Sequence, residues 1–256
     1  MLFVISPAKA LDYESPTPQV EHTKPLFAKQ SAELIAVLRE QTPLQIAELM
    51  DLSDALSALN VARYQAWSSR STAKNSREAV FAFNGDVYDG LQARQMPEPQ
   101  LDWLQQHLRI LSGLYGVLRP LDWMQPHRLE MGTALATEKG KNLYQFWGHT
   151  IAQHLQKELD AQANPVLVNL ASVEYFKSVD LKKIKSPVIE CVFQENKSGT
   201  WKVVSFMAKR ARGLMVRYAA ELGIDQVEGL KGFELEGYAF DNKASTADRL
   251  VFRRGG

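Results

Sequence analysis

Met1 is followed by Leu2-Phe3-Val4-Ile5, four apolar residues in a row before the first polar position at Ser6. A run that is apolar on both faces predicts an interior strand of a sheet. Pro16, Pro18 and Pro25 then read as an extended connection, because proline fixes φ and removes a backbone donor. Leu26, Leu34, Ile35 and Leu38 recur at helical spacing and predict a helix from about residue 25 to 41. Thr42-Pro43 pairs a good N-cap with a residue suited to the first helical position, so a second helix starts there and carries Leu44, Ile46, Ala47, Leu49 and Met50. Ser53 predicts the cap of a third helix, Asp54 to about Trp67, with Leu56, Leu59 and Tyr64 facing inward. Only Asp51-Leu52-Ser53 separates the second helix from the third.

Further along, Ala79 to Phe83 predicts a compact apolar strand, ended by the turn signal Asn84-Gly85-Asp86. A helix near Pro99 to His107, a strand at Leu108 to Leu111 and a helix over Leu143 to Leu159 follow. Pro165 to Leu170, Pro187 to Gln194 and Trp201 to Met207 predict strands, the last two joined by the turn Asn196-Lys197-Ser198-Gly199. Ala208 to Leu222 predicts a strongly basic helix, and Leu250-Val251-Phe252 a final strand. Strands and helices interleave with no repeat and no linker long enough to divide the chain. The pattern predicts an α/β (mixed α+β) fold in a single compact domain spanning 1–256.

Composition changes this picture little, since 45% hydrophobic and 23% charged residues are ordinary globular values. A chain of 256 residues buries a sizeable core without disulfides or metals. The one cysteine, Cys191, lies in the apolar run Val188 to Phe193, which excludes an internal disulfide and predicts an inert, buried thiol in a reducing cytoplasm. No apolar stretch reaches the roughly 20 residues that cross a bilayer, so no membrane association is expected. The N-terminus lacks a basic leader and reads as a strand, not as a signal peptide.

Charge changes it more. The formal net charge is +1, but ten basic residues between Lys177 and Arg217 face three acidic ones, Asp180, Glu190 and Glu195. That local excess of about +7 leaves about −6 on the rest of the chain, an asymmetry expected of a protein with an anionic partner.

Familiar chemistry is missing. The five histidines are scattered, and His149 and His154 are five apart, off the spacing that sets two ligands on one helix face. No metal or cofactor is therefore expected. No phosphate-binding loop, dinucleotide-binding glycine pattern or G-x-S-x-G elbow is present. Three polar segments remain. Ser6-Pro7-Ala8-Lys9 follows the first strand, where open α/β sheets bind ligands. Asn169 to Lys177 again turns from a strand into polar residues, with Ser172, Glu174, Tyr175 and Lys177 as cleft candidates. The third segment, Ser205 to Gly213, sets Lys209, Arg210 and Arg212 in the first turns of the basic helix, where cations oppose the helix dipole and bound phosphate would offset the cost. The pair of helices at about 43–67 also has the outline of a helix-hairpin-helix element, which binds DNA backbone. Asp51 and Ser53 stand where such hairpins carry glycine, with Leu52 between them and Ser57 as the small residue beyond. An ordinary αα-hairpin explains the same pattern.

Several blocks together resemble the YaaA family of bacterial peroxide-stress proteins, closely so its enterobacterial branch. They are Ile5 to Lys9, Phe83 to Tyr88, Leu108 to Asp122, Tyr144 to Gly148, Asn169 to Ser172, Glu174 to Lys177 and Lys209 to Gly213. The resemblance implies an unusual α/β fold with a basic cleft and DNA binding through that cleft and a helix-hairpin-helix element, in the service of peroxide-stress protection. Carried onto this sequence, it implies Lys9, Arg128, Lys177, Lys209, Arg210 and Arg212 in the cleft and Leu52 and Ser53 at the hairpin. The expected partner is DNA bound without sequence preference by a cytoplasmic monomer. The alternative is an enzyme acting on a phosphate-bearing small molecule, with Lys9 and Lys177 holding substrate and Glu174 as acid or base.

Overall fold

The computed structural model describes residues 1–255. The chain begins with β1 (Leu2–Ile5) and the short β2 (Ala10–Leu11), then makes α1 (Ala28–Arg39), α2 (Pro43–Met50) and α3 (Asp54–Ala66). A stretch of small elements follows: β3 (Arg77–Glu78), α4 (Ala79–Ala82), β4 (Phe83–Asn84) and α5 (Asp86–Leu91). After α6 (Glu98–His107) come β5 (Leu108–Ser112), β6 (Gly116–Leu118) and β7 (Trp123–Met124), then α7 (Leu143–Trp147) and α8 (Thr150–Leu159). The last part holds β8 (Leu167–Leu170), α9 (Val173–Phe176), β9 (Val188–Lys197), β10 (Thr200–Lys202), α10 (Ser205–Leu222), α11 (Val227–Leu230), β11 (Ala239–Phe240) and β12 (Arg249–Arg254).

Eight strands make one mixed sheet in the order β11-β12-β9-β8-β1-β5-β6, with β10 paired to β9. The inner strands β12, β9, β8, β1 and β5 run parallel, and β11, β6 and β10 pair antiparallel to their neighbours. As its apolar run predicts, β1 lies inside the sheet with all four residues fully buried. Phe3 packs on Trp103 of α6, and Val4, on the opposite face, pairs in register with Arg109, whose side chain reaches Glu158 of α8. Helices therefore cover both faces, which is what a parallel sheet requires.

On the α6 side, α10 crosses α5 with almost no separation. A Cβ added at Gly213 would fall 1.8 Å from the Val87 carbonyl oxygen, and one at Gly90 would fall 2.2 Å from the Arg210 carbonyl oxygen. Only glycine at both positions permits that approach.

Local sequence signals account for several boundaries. Thr42 caps α2 in a capping box with Gln45, as its spacing suggests. Ser53 precedes α3, but its side chain makes no capping bond. Four expectations are corrected. Residues 79–82 form a single buried helical turn rather than a strand, because Ala79 and Val80 donate to the carbonyls of Asp122 and Pro120 and Phe83 donates back to Ala79. The strand expected over Trp201 to Met207 ends at Lys202, and Ser205 to Met207 are already helical, with Ala208 N–H bonded to Val204. The helix over 143–159 breaks at Gly148, whose φ of 49° and ψ of −118° only glycine adopts readily. In α3, Leu56 and Leu59 are exposed, while Ser57, Asn60 and Tyr64 are buried. Ser57 and Asn60 tolerate burial by bonding the Asp54 and Leu56 carbonyls of their own helix.

Candidate nucleic-acid interface

The carboxyl ends of β1, β5 and β8 lie side by side, Ile5 pairing with Ile110 and with Leu170. Beyond them the two polar tails foreseen from sequence are tied together. Ser6 Oγ accepts the Ser172 N–H at 2.8 Å and lies 3.2 Å from Ser172 Oγ, while Ser172 Oγ caps α9 by accepting the Tyr175 N–H. Tyr88 donates to the Ser6 carbonyl at 3.2 Å from its buried position on α5, and that burial raises its phenol well above the ordinary value.

Lys9 and Arg128 meet at one carboxylate. Glu130 Oε1 lies 3.2 Å from Lys9 Nζ and 2.9 Å from Arg128 Nη2. The Arg128 backbone is pinned from α3, where the buried Tyr64 hydroxyl donates to its carbonyl. Lys9 stays 67% exposed, so the trio presents one net positive charge to solvent with the Lys9 amine outermost. Two residues past Glu130, the Gly132 N–H donates to Glu174 Oε1 at 2.9 Å. Glu174 and Lys177 both belong to the α9 turn, and Lys177 Nζ sits 4.9 Å from the centre of the Tyr144 ring, whose hydroxyl donates to the Glu174 carbonyl. Lys9, Arg128, Glu174 and Lys177 thus lie beyond the carboxyl ends of the inner strands.

The hollow beside Lys9 and Arg128 holds only about 20 Å³ and is lined also by Ala8, Ser112, His127 and Tyr175 among others. Burial lowers the His127 imidazole to about 4, against the pull of its bond to the Gln125 carbonyl, so the ring is neutral at pH 7 and adds no charge. Burial likewise keeps the Tyr175 phenol protonated.

The basic helix is arranged differently from the simple cluster its sequence suggests. A helix turns about 100° per residue, so Lys209, Arg210 and Arg212 point different ways. Lys209 is exposed and has no ion-pair partner among the described residues. Arg210 is held by Glu236 at 2.6 Å and lines a separate hollow that shares Phe83 with the one above. Arg212 is half-buried towards β9; burial lowers its guanidinium from the ordinary value, and Glu190 partly restores it. Arg217 is paired with Glu221. The charge excess read along the chain is therefore partly cancelled by acids, Glu236 and Glu221, from outside the basic stretch.

The turn Asp51-Leu52-Ser53 joins two packed helices, with Asp51 left-handed at φ 51° and Leu52 half-buried. It lies eleven residues up α3 from Tyr64, about 16 Å along the axis from the Arg128 contact. Among the described residues no three His, Cys, Asp or Glu side chains gather as a metal site, and no helix is long and apolar enough to cross a membrane.

A family model described as peroxide stress protein YaaA matches residues 1–244. The chain belongs to this family. Its similarity to curated relatives runs end to end. It is 65% identical to a UPF0246 protein of a Polaromonas species over 254 residues, covering 99% of this chain and 98% of that one. To UPF0246 proteins of Bordetella petrii and Bordetella pertussis it is 63% and 60% identical, with 99% of each chain covered. Membership in the YaaA family ties the chain to peroxide stress. Within this YaaA-family chain, sequence reasoning missed Glu130, the acid that Lys9 and Arg128 share. Its signal was available: Arg128 and Glu130 are two apart in an extended segment, which puts both side chains on one side. Tyr144 and Gly132, which position Lys177 and Glu174, carry no comparable signal.

Proposed function

We propose that this YaaA-family protein binds the phosphate backbone of nucleic acid along the surface formed by Lys9, Arg128 and Lys177, with Lys209 extending the track and the Leu52-Ser53 hairpin as a second contact. The observation that carries this reading is that Lys9 and Arg128, from distant parts of the chain, line a hollow of about 20 Å³, with Lys177 on the neighbouring α9 turn that Glu174 ties to Gly132. That volume admits about one water, whereas a surface row of amines suits a polyanion. Lys177 and Lys209 have no carboxylate partner among the described residues, and Lys9 shares Glu130 with Arg128. These three amines supply the charge. Arg210, already neutralised by Glu236, contributes less. The enzyme alternative has weaker support, since Glu174 is exposed and spends one carboxylate oxygen on the Gly132 N–H.

The test is a titration of the full chain with duplex, single-stranded and bubble DNA at two salt concentrations. Three phosphate contacts on duplex DNA give a slope of about −2.7 in log K against log salt. Reversing Lys9, Lys177 and Lys209 to glutamate should remove most of that slope and weaken all sequences alike, and Arg210→Glu should do so far less. Unchanged affinity and slope in the folded triple variant would sink the proposal.

A further inference from the structure

The segment 125–130 is a wall between two hollows. His127 to Glu130 line the small one described above, and Gln125 and Pro126 line a second of about 310 Å³, bounded also by Tyr13, Arg63, Trp67 and Lys74. The polar groups of its walls are mostly spent elsewhere. Tyr13 donates to the Met124 carbonyl at 2.7 Å, and Trp67 Nε1 donates to Tyr115 at 3.0 Å. The Gln125 amide is used on both sides by the Ser68 backbone. What remains for an occupant is aromatic carbon, the Ala66 methyl, the Pro126 ring and two cations. Neither Arg63 nor Lys74 has a carboxylate within ion-pair distance among the described residues. Among the described residues the side chain of Arg63 makes one hydrogen bond, to Asn60 Oδ1 at 3.4 Å. Its position is half-buried, so a guanidinium that no carboxylate neutralises faces the hollow.

The larger hollow of about 430 Å³ beside Arg94 and Arg210 offers no comparable charge, because Asp12 and Glu236 already pair with those two arginines. We propose that the 310 Å³ hollow binds a phosphate monoester carried on a planar ring, that is, one nucleoside monophosphate unit. A phosphate monoester carries about −1.5 to −2 charges near pH 7, which matches Arg63 and Lys74 together. The aromatic and aliphatic walls suit the ring. The volume lies at the low end of small-molecule pockets, which are about 300–1,000 Å³, and so suits a single nucleotide. The unit is either a free nucleotide or the phosphorylated end of a strand. This site rests on its own residues and stands apart from the cleft reading.

Calorimetric titration of the full chain with adenosine monophosphate, adenosine and inorganic phosphate tests it. Adenosine monophosphate should bind at least ~10-fold more tightly than either fragment, since charge-assisted hydrogen bonds and ring burial act together. Arg63→Gln should weaken it by about 10- to 100-fold. Lys74→Gln, at an exposed position, should weaken it without touching the fold, and it keeps the test alive if Arg63→Gln does not fold. Lys9→Glu with Lys177→Glu should leave it unchanged. Competition by a 5′-phosphorylated oligonucleotide, and not by its unphosphorylated twin, assigns the strand end; competition by neither assigns the free nucleotide. Equal binding of adenosine and its monophosphate, or wild-type affinity in both single variants, overturns the proposal.

Discussion

Replacing Glu158 with glutamine should cost about 3 kcal/mol of folding stability at pH 7 and roughly half as much at pH 3. The carboxylate sits under the sheet and grips Arg109 of β5 through both oxygens, at 2.7 and 2.8 Å, with His154 Nε2 3.3 Å from one of them. Arg109 is itself almost fully buried and turns its remaining amine to the Gln105 and Leu108 carbonyls. Burial alone would raise the Glu158 carboxyl, but the two hydrogen bonds and the charge of Arg109, with the His154 ring close beside it, outweigh that and hold the group down at about 2, against an ordinary 4.5. A carboxyl depressed by folding stabilises the fold above its ordinary value, and this contribution disappears as pH falls from about 4.5 through 2. The fall from 4.5 to about 2 corresponds to about 3 kcal/mol, of which roughly half survives at pH 3. The independent expectation for removing one partner of a buried pair, about 3–5 kcal/mol, agrees. Glutamine still accepts one bond from Arg109, which favours the lower figure. Urea unfolding of both proteins at the two pH values measures the difference. A cost under 1 kcal/mol at pH 7, or the same cost at both, would refute the reasoning.

Gly213→Ala should destabilise by about 2–4 kcal/mol in calorimetry despite the better helix propensity of alanine. Its Cβ would meet the Val87 carbonyl, part of a backbone that no rotamer change can move, at 1.8 Å. Asp51→Gly should be neutral or stabilise by up to about 1 kcal/mol, because the residue sits at φ 51°, and it should tighten DNA binding if the hairpin faces phosphate. Unchanged affinity would leave the segment an ordinary helical hairpin. Cys191 should resist thiol reagents in the native protein, since burial pushes its thiol up to about 12; rapid labelling would contradict that and reopen a sensing role.

The parts of this protein that its sequence determined are those whose cause lies within a few residues. The interior strand Leu2–Ile5, the capping box of Thr42 and Gln45, the strands around Leu108 and Leu167, and the burial of Cys191 all follow from local apolar runs and turn chemistry. The polar tails at Ser6 and Ser172 were legible for the same reason, as strand ends. Tertiary structure alone decided the rest. Ala79–Ala82 reads as a strand but coils, because carbonyls at Pro120 and Asp122 take the bonds a sheet would have supplied. The buried face of α3 is the one with Ser57 and Asn60, the face that also carries Tyr64 to the Arg128 carbonyl. Charge shows the division most plainly. A count along the chain finds a basic stretch, yet Coulomb energy falls with distance through space, and the fold brings Glu236 to Arg210 and Glu130 to Lys9 from far along the sequence. Which cations remain available to a ligand is therefore a property of the folded surface and not of any segment.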